Sequence, residues 1–180
     1  MRVFVTGVSG WIGSTVTAEL LATSHEVVGL ARSDASARAI ADAGAQVRRG
    51  DVTDLDSLRA GAGDADGIVH TAFNHDFSRH IGAAEADFAA VEFFGSLLEG
   101  TGRPLVIASG LVGGPAVETD RPDPASSPTP RLRTEQLLHD IAEAIGRRAT
   151  STITRELLGW EPVHPGLIED LEAGHYFRAA

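Results

Sequence analysis

Glycines near the N-terminus stand at a spacing that suits the binding of a phosphate group. The segment that holds them consists of Thr6, Gly7, Val8, Ser9, Gly10, Trp11, Ile12 and Gly13. The first glycine permits a tight turn, the second lets the backbone approach a pyrophosphate, and the third lets a helix pack closely on a strand. The sequence therefore predicts a dinucleotide-binding turn, the alternative being a purely structural glycine turn.

The residues about twenty positions further on bear on which dinucleotide is bound. A carboxylate there would bind the ribose 2′-hydroxyl of NAD, but this chain has Arg32 and Ser33. An arginine with a neighbouring hydroxyl suits a 2′-phosphate, which favours NADP. Asp34 is close enough in sequence to leave NAD as an alternative cofactor, and Arg32 could also be an ordinary solvated charge.

Further polar side chains follow the third and fourth predicted strands. Asp51, with Val52, can place a carboxylate near the adenine amino group, although an isolated Asp is more often a helix cap. After the fourth strand, His75 beside Asp76 is a candidate acid or base, because histidine titrates near neutral pH. The same region contains His70 and His80, but their spacing does not favour a metal site.

The elements that must position these residues alternate along the chain. Apolar runs predict strands over 2–6, 25–30, 46–49, 67–72 and 104–108, and helical spacing predicts helices over 12–21, 33–43, 55–60, 77–98 and 131–148. Such alternation with short connections predicts an α/β fold, a doubly wound parallel sheet of Rossmann type. Its ligands bind at the carboxyl ends of the strands, where the strand order reverses.

Composition excludes several classes of function. The 180 residues carry a formal net charge of −10, which argues against nucleic-acid binding. All fifteen basic residues are arginine, so mechanisms that need a lysine are excluded. The apolar run Val3–Val5 is too short for a signal peptide or a membrane span, so the expected location is the cytoplasm.

Four segments together resemble a known superfamily. The turn Thr6–Gly13, the pair Asp51–Val52 and the strands Ile68–Ala72 and Leu105–Ser109 are similar to the extended, epimerase/dehydratase-like branch of the short-chain dehydrogenase/reductases. The similarity covers about residues 1–139 in order. It implies that Thr71, Ala72 and Phe73 border the nicotinamide, and that Ser109 lies near the substrate carbonyl.

The rest of the chain departs from this superfamily. Its members commonly use Tyr-x-x-x-Lys, in which the lysine lowers the pKa of a tyrosine that acts as acid and base. Arg131 and Glu135 stand at those two positions here. Residues 140–180 are expected to be a short helical remnant of a substrate-binding lobe, following a dinucleotide-binding domain over 1–139.

Two functions from different classes remain. The first is an NAD(P)-dependent oxidoreductase acting on a small carbonyl, alcohol or sugar-like substrate, with NADP as the favoured cofactor and NAD as the alternative. The second is a cofactor-binding protein without turnover, serving as a redox sensor or partner-binding module, and a third reading is a structural or oligomerisation fragment. The resemblance also implies a homodimer formed through the two long helices.

Overall fold

The computed structural model describes residues 1–75, 80–108 and 130–144, and the side chains of 1–75, 81–108 and 133–142. The site candidates Asp76 and Ser109, and most of the lobe remnant expected over 140–180, therefore lie outside the described residues. The described part belongs to one compact unit, Met1–Arg147.

Strands and helices alternate through the described ranges in the predicted order. They are β1 Arg2–Thr6, α1 Trp11–Ala22, β2 Glu26–Ala31, α2 Asp34–Asp42, β3 Gln46–Arg49, α3 Leu55–Ala62, β4 Gly67–His70, α4 His80–Leu98, β5 Leu105–Ile107 and α5 Pro130–Ala144. No helix in these ranges is both long enough and apolar enough to cross a membrane.

The strands form one parallel sheet with the order β3-β2-β1-β4-β5. The chain moves from β1 outward to β3 and then returns to the other side of β1, so the strand order reverses between β1 and β4. A reversal of this kind leaves a crevice at the carboxyl ends of the two strands, where ligands of doubly wound sheets bind. The predicted fold class is confirmed.

Successive side chains of the strands enter two separate cores, because a strand presents alternate residues to opposite faces of a sheet. On β1, Phe4 joins the core that contains Leu58 and Phe94, from α3 and α4. Its neighbours Val3 and Val5 join the core that contains Ile40, from α2. Helices therefore cover both faces of the sheet.

The fourth strand ends two residues earlier than the sequence pattern predicts. The backbone N–H of Thr71 still donates to the carbonyl of Thr6, at 3.2 Å, but that of Ala72 donates to the Thr6 hydroxyl instead, at 3.3 Å. β1 ends at Thr6 and turns away at Gly7, whose φ is +77°. The segment after His70 therefore has no main-chain partner left on β1 and leaves the sheet.

Candidate functional site

The glycine turn brings backbone atoms very close together. The N–H of Gly10 donates to the carbonyl of Gly7 at 2.9 Å. A Cβ at Gly13 would lie 2.1 Å from the Gly7 carbonyl oxygen, and one at Gly7 would lie 2.7 Å from the backbone nitrogen of Ala72. The close approach of helix to strand expected at the third glycine is therefore present, and side chains are excluded by backbone atoms that cannot move aside.

The N-terminus of α1 is open. Gly10 is its N-cap, no side chain of the described residues caps the helix, and the first turn contains no acidic residue. Trp11 is 82% exposed, Ile12 is 55% exposed, and Ser9 is exposed as well. The free N–H groups and the positive end of the helix dipole thus face solvent beside the glycine turn, an arrangement that suits an anion such as pyrophosphate.

Arg32 and Ser33 lie just past β2, and both are exposed. Ser33 is the N-cap of α2: its hydroxyl accepts from the N–H of Ser36 at 3.1 Å, and the Ser36 hydroxyl accepts from the N–H of Ser33 at 3.0 Å. The Ser33 hydroxyl therefore has a structural role in the capping box. The Arg32 side chain takes no part in this capping box.

The sequence pattern does not predict an ion pair that lies next to these residues. Arg49, the last residue of β3, pairs with Asp34, the first residue of α2. The parallel register places Arg49 opposite Ala31, so it approaches the end of β2 from the neighbouring strand. Asp34, the carboxylate that leaves NAD as the alternative cofactor, thus takes part in an ion pair at the surface.

Asp51 organises the loop after β3. Its Oδ1 accepts from the backbone N–H of Thr53 at 2.9 Å and from the Thr53 hydroxyl at 2.7 Å. These two hydrogen bonds lower the pKa of the Asp51 carboxyl below its ordinary value, and the positive charge of Arg32 lowers it further. The cap of the following helix is Asp54 rather than Asp51, and Val52 packs against the core on the α4 face.

The segment after β4 runs beside the glycine turn. The hydroxyl of Thr71 donates to the Thr6 carbonyl at 2.7 Å, and Ala72 and Phe73 are half-buried. His75 is exposed, and its ring meets the edge of the Phe73 ring with centroids 5.4 Å apart. His75 is therefore the described histidine of this loop that is open to a reactant at the carboxyl end of β4.

His70 behaves differently from the other histidines. It is 2% exposed, and its ring lies between the hydroxyl of Thr6, 2.7 Å from Nδ1, and the carboxylate of Asp87 on α4, 3.3 Å from Nε2. Neither nitrogen faces solvent, so this ring cannot exchange a proton directly with a substrate. Of the two histidines in this region whose side chains are described, His75 is exposed and His70 is buried.

The model of the NAD dependent epimerase/dehydratase family matches residues 3–98, more than half of the chain. The chain belongs to this family. Members of the family depend on NAD, and the matched range covers the glycine turn and every element from β1 through α4.

Similarity extends to other proteins. The uncharacterized protein C2A9.02 of Schizosaccharomyces pombe is 46% identical over 109 residues, which are 61% of this chain and 37% of that protein. UDP-glucose 4-epimerase of Bifidobacterium longum, solved with NAD⁺ and UDP, is 21% identical with a TM-score of 0.58, covering 80% of this chain and 50% of that one. Vestitone reductase of alfalfa (Medicago sativa) is 18% identical with a TM-score of 0.54, covering 81% and 54%. The chain thus spans little more than a third of that curated relative and about half of each solved structure.

The family's nicotinamide cofactor fits the residues of this chain. Gly7, Gly10 and Gly13 keep the approach to α1 free of side chains, and the first turn of that helix offers uncapped N–H groups. Exposed groups that can bind a ribose or its phosphate follow β2, and the loop with His75 follows β4. These groups lie at the carboxyl ends of strands on both sides of the crevice, as an extended dinucleotide requires.

Proposed function

We propose that this chain binds a nicotinamide dinucleotide across the carboxyl edge of the sheet and acts as an NAD(P)-dependent oxidoreductase of the short-chain dehydrogenase/reductase type. The observation that carries the proposal is the glycine turn with an open helix N-terminus behind it. The cofactor supplies hydride transfer, and the protein supplies binding, orientation and polarisation. The substrate class is a small carbonyl, alcohol or sugar-like compound.

The adenosine half is assigned to the ends of β2 and β3. Asp51 and Val52 border the adenine, and Arg32 with Ser33 meets the ribose or its 2′-phosphate. NADP is the favoured cofactor, because Arg32 is exposed and Asp34 is engaged by Arg49. A bidentate guanidinium matches a phosphate, whereas a carboxylate already paired with an arginine is less available to the ribose hydroxyls of NAD.

The nicotinamide half is assigned to the residues after β4 and β5. Thr71, Ala72 and Phe73 border the ring, and His75 is the candidate proton donor or acceptor. The family resemblance adds Ser109 near the substrate carbonyl. The exposure of His75 at the carboxyl end of β4 supports its role, since an acid or base must reach the reacting atoms.

A second function is cofactor binding without turnover. It is favoured by the absence of lysine from the sequence, together with Arg131 and Glu135 at the positions of the usual tyrosine and lysine. Hydride transfer with any member of a panel of carbonyl and nucleotide-sugar compounds would exclude this second function. Tight binding without turnover across the panel would favour it.

The first test is a titration of the purified chain with NADPH and with NADH, in which the fluorescence of Trp11 reports binding. The variant Gly10→Asp is the decisive comparison. An aspartate is a good N-cap, so it stabilises α1 while its carboxylate occupies the anion site and repels the pyrophosphate. The matched control Gly10→Ser provides a neutral cap at the same position.

We expect Gly10→Asp to bind dinucleotide at least about tenfold more weakly than Gly10→Ser, because both variants add a Cβ beside the Gly7 carbonyl and only the aspartate adds a negative charge. Trp11→Phe identifies the source of the signal, because the chain has a second tryptophan. Binding by the aspartate variant as tight as that by the parent chain, or no binding of either dinucleotide by the parent chain, would show that the glycine turn is structural only.

The choice of cofactor has a test of its own. Arg32→Ala should weaken NADPH by about tenfold and leave NADH unchanged, because only NADPH carries the 2′-phosphate. Arg38→Ala, an exposed arginine on α2, is the control. Tighter binding of NADH than of NADPH by the parent chain would establish NAD as the cofactor.

The remaining assignments belong to the same proposal. They are a dinucleotide-binding domain over 1–139 with a lobe remnant over 140–180, a homodimer formed through the long helices, a small-molecule partner and a cytoplasmic location. Mass measurement in solution tests the dimer.

A further inference from the structure

A chain of polar side chains lies buried directly behind the crevice. It consists of Thr6 at the end of β1, His70 at the end of β4, and Asp87 in the middle of α4. These three residues are 0%, 2% and 5% exposed. The His70 ring joins the two others, with Nδ1 2.7 Å from the Thr6 hydroxyl and Nε2 3.3 Å from Asp87 Oδ1.

The donors and acceptors in this row of polar side chains can be assigned from its Ala72 end. The backbone N–H of Ala72 can only donate, and it meets the Thr6 hydroxyl oxygen at 3.3 Å. If the hydroxyl proton then points to His70 Nδ1, the histidine proton resides on Nε2 and faces the Asp87 carboxylate. His70 Nε2 lies 3.3 Å from Asp87 Oδ1, a close contact that is not a hydrogen bond, and Nε2 has no other partner among the described residues. The loop after β4 is thereby connected to a carboxylate on α4.

The chain is costly as a purely structural element. His70 Nε2 and Asp87 Oδ2 both lack a hydrogen-bond partner among the described residues, and the His70 ring packs edge-on against Phe94, with centroids 5.6 Å apart. A buried carboxylate loses its hydration, and an apolar pair of the same volume would avoid that loss. This cost indicates a functional reason for the pair, and the other end of the row of polar side chains, where Ala72 is held, is the place where that reason is expected.

The position of Ala72 supplies that reason. The strand order reverses between β1 and β4, and the glycine turn lies at the end of β1. Groups that suit the adenosine half follow β2 and β3 on one side of that turn. A dinucleotide whose pyrophosphate rests on the turn must therefore extend its reactive half to the other side, over the loop Thr71–Phe73.

We propose that Thr6, His70 and Asp87 are positioning residues, which hold the loop Thr71–Phe73 in the orientation that receives the nicotinamide half of the cofactor. This inference rests on the proposed function. None of the three side chains touches the reacting atoms, and all act through the peptide N–H of Ala72. A small misplacement of such a loop is enough to weaken binding or turnover, because both depend on prearranged geometry.

The test separates the two halves of the cofactor. NADPH and NADH are each compared with the matching fragment that lacks nicotinamide, 2′-phospho-ADP-ribose or ADP-ribose, by calorimetric titration of the full chain. The variant Thr6→Val keeps the branched shape and removes only the hydroxyl that links Ala72 to His70. Thr17→Val is the matched control, since Thr17 is 0% exposed and its hydroxyl has no partner within the described part of the chain.

We expect Thr6→Val to weaken the intact dinucleotide by about tenfold and its fragment by less than about twofold. Thr17→Val should change neither affinity. A second variant, His70→Leu with Asp87→Leu, replaces the buried polar pair by apolar groups and is expected to remain folded. It should reproduce the selective loss, whereas Asp87→Asn, which keeps an oxygen at the position facing Nε2, should retain most of the affinity.

An equal loss for dinucleotide and fragment in Thr6→Val, or no loss in either folded variant, would overturn the positioning role while leaving cofactor binding intact. If the parent chain binds neither the dinucleotides nor their fragments, the proposed function falls and this inference falls with it.

Discussion

The two sides of the glycine turn carry their polar groups differently, because one side exposes them and the other buries them. The first side consists of the residues that follow β2 and β3, and is called the β2–β3 side. It presents exposed charges: Arg49 is paired with Asp34, and the charge of Arg32 helps to lower the pKa of Asp51. Past β4, the β4 side buries its polar groups, the Thr6–His70–Asp87 chain. Exposed pairs contribute little to stability and exchange partners easily, whereas buried pairs must be satisfied within the fold. The first side can adapt to a ligand, and the second side fixes a geometry.

The largest difference should appear when one carboxylate is removed from each side. Asp87→Ala leaves the buried His70 ring without the carboxylate that faces Nε2, and it should lower the free energy of unfolding by about 3 kcal/mol. Asp34→Ala breaks an exposed pair and should cost less than about 1 kcal/mol. Urea denaturation of both variants measures the two values, and similar values would contradict the distinction between the two sides.

The glycine turn that separates the two sides should be the next most sensitive feature. Gly13→Ala brings a methyl group onto the Gly7 carbonyl, so it should cost about 2 kcal/mol and abolish dinucleotide binding. Gly82→Ala is the control, because a Cβ there meets nothing within 4 Å and a helical alanine is favoured over glycine. Thermal unfolding with and without NADPH reports both effects. Retained binding by Gly13→Ala would show that the turn tolerates a side chain.

The adaptability of the β2–β3 side can be tested at Arg49. Arg49→Gln frees Asp34 for ribose hydroxyls, so the ratio of NADPH to NADH affinity should fall by about tenfold. Stability should change by less than about 1 kcal/mol, because the pair is exposed. Arg48→Gln, the neighbouring residue on β3, is the control. A change in stability without a change in the ratio would assign a structural role to the pair.

The smallest effect concerns acid stability. The folded state lowers the pKa of Asp51, so its contribution to stability is present above the ordinary aspartate pKa and is lost as the pH falls through the lowered value. Asp51→Asn should therefore be less stable than the parent near neutral pH, and the gap should close in strong acid. Because the carboxyl is half-buried, the gap should be under about 1 kcal/mol. A gap independent of pH would exclude the carboxylate charge as its cause.

How far the sequence predicts this molecule depends on how local each feature is. The turn Thr6–Gly13 is readable because its glycines, the preceding strand and the following helix are contiguous. The contacts of the buried and exposed polar groups are not local in this sense. The pairs Arg49–Asp34 and His70–Asp87 each depend on sheet register or on which helix face packs inward. Thr6 and His70, which form a hydrogen bond, are 64 positions apart in the sequence. A pattern in one segment cannot encode such contacts.

One signal was nevertheless present in the sequence. Buried residues of α4 recur at helical spacing, including Ala83, Ala84, Ala90, Val91 and Phe94, and Asp87 falls on the same stripe. A charged residue on an apolar stripe predicts a buried polar partner. Reading His70 together with that position, rather than with the other histidines, would have indicated the pair.

The open N-terminus of α1 has a consequence for the lifetime of the protein in a cell. Under the proposed function, the ligand-free chain lacks the anion that completes its first helix, so occupancy and folding are linked by mass action. A ligand at a hundredfold excess over its Kd stabilises the folded state by about 2.7 kcal/mol. Proteases that cut the transiently unfolded chain would then remove it fastest when the nicotinamide pool is depleted. Abundance of this protein would follow the supply of its own cofactor.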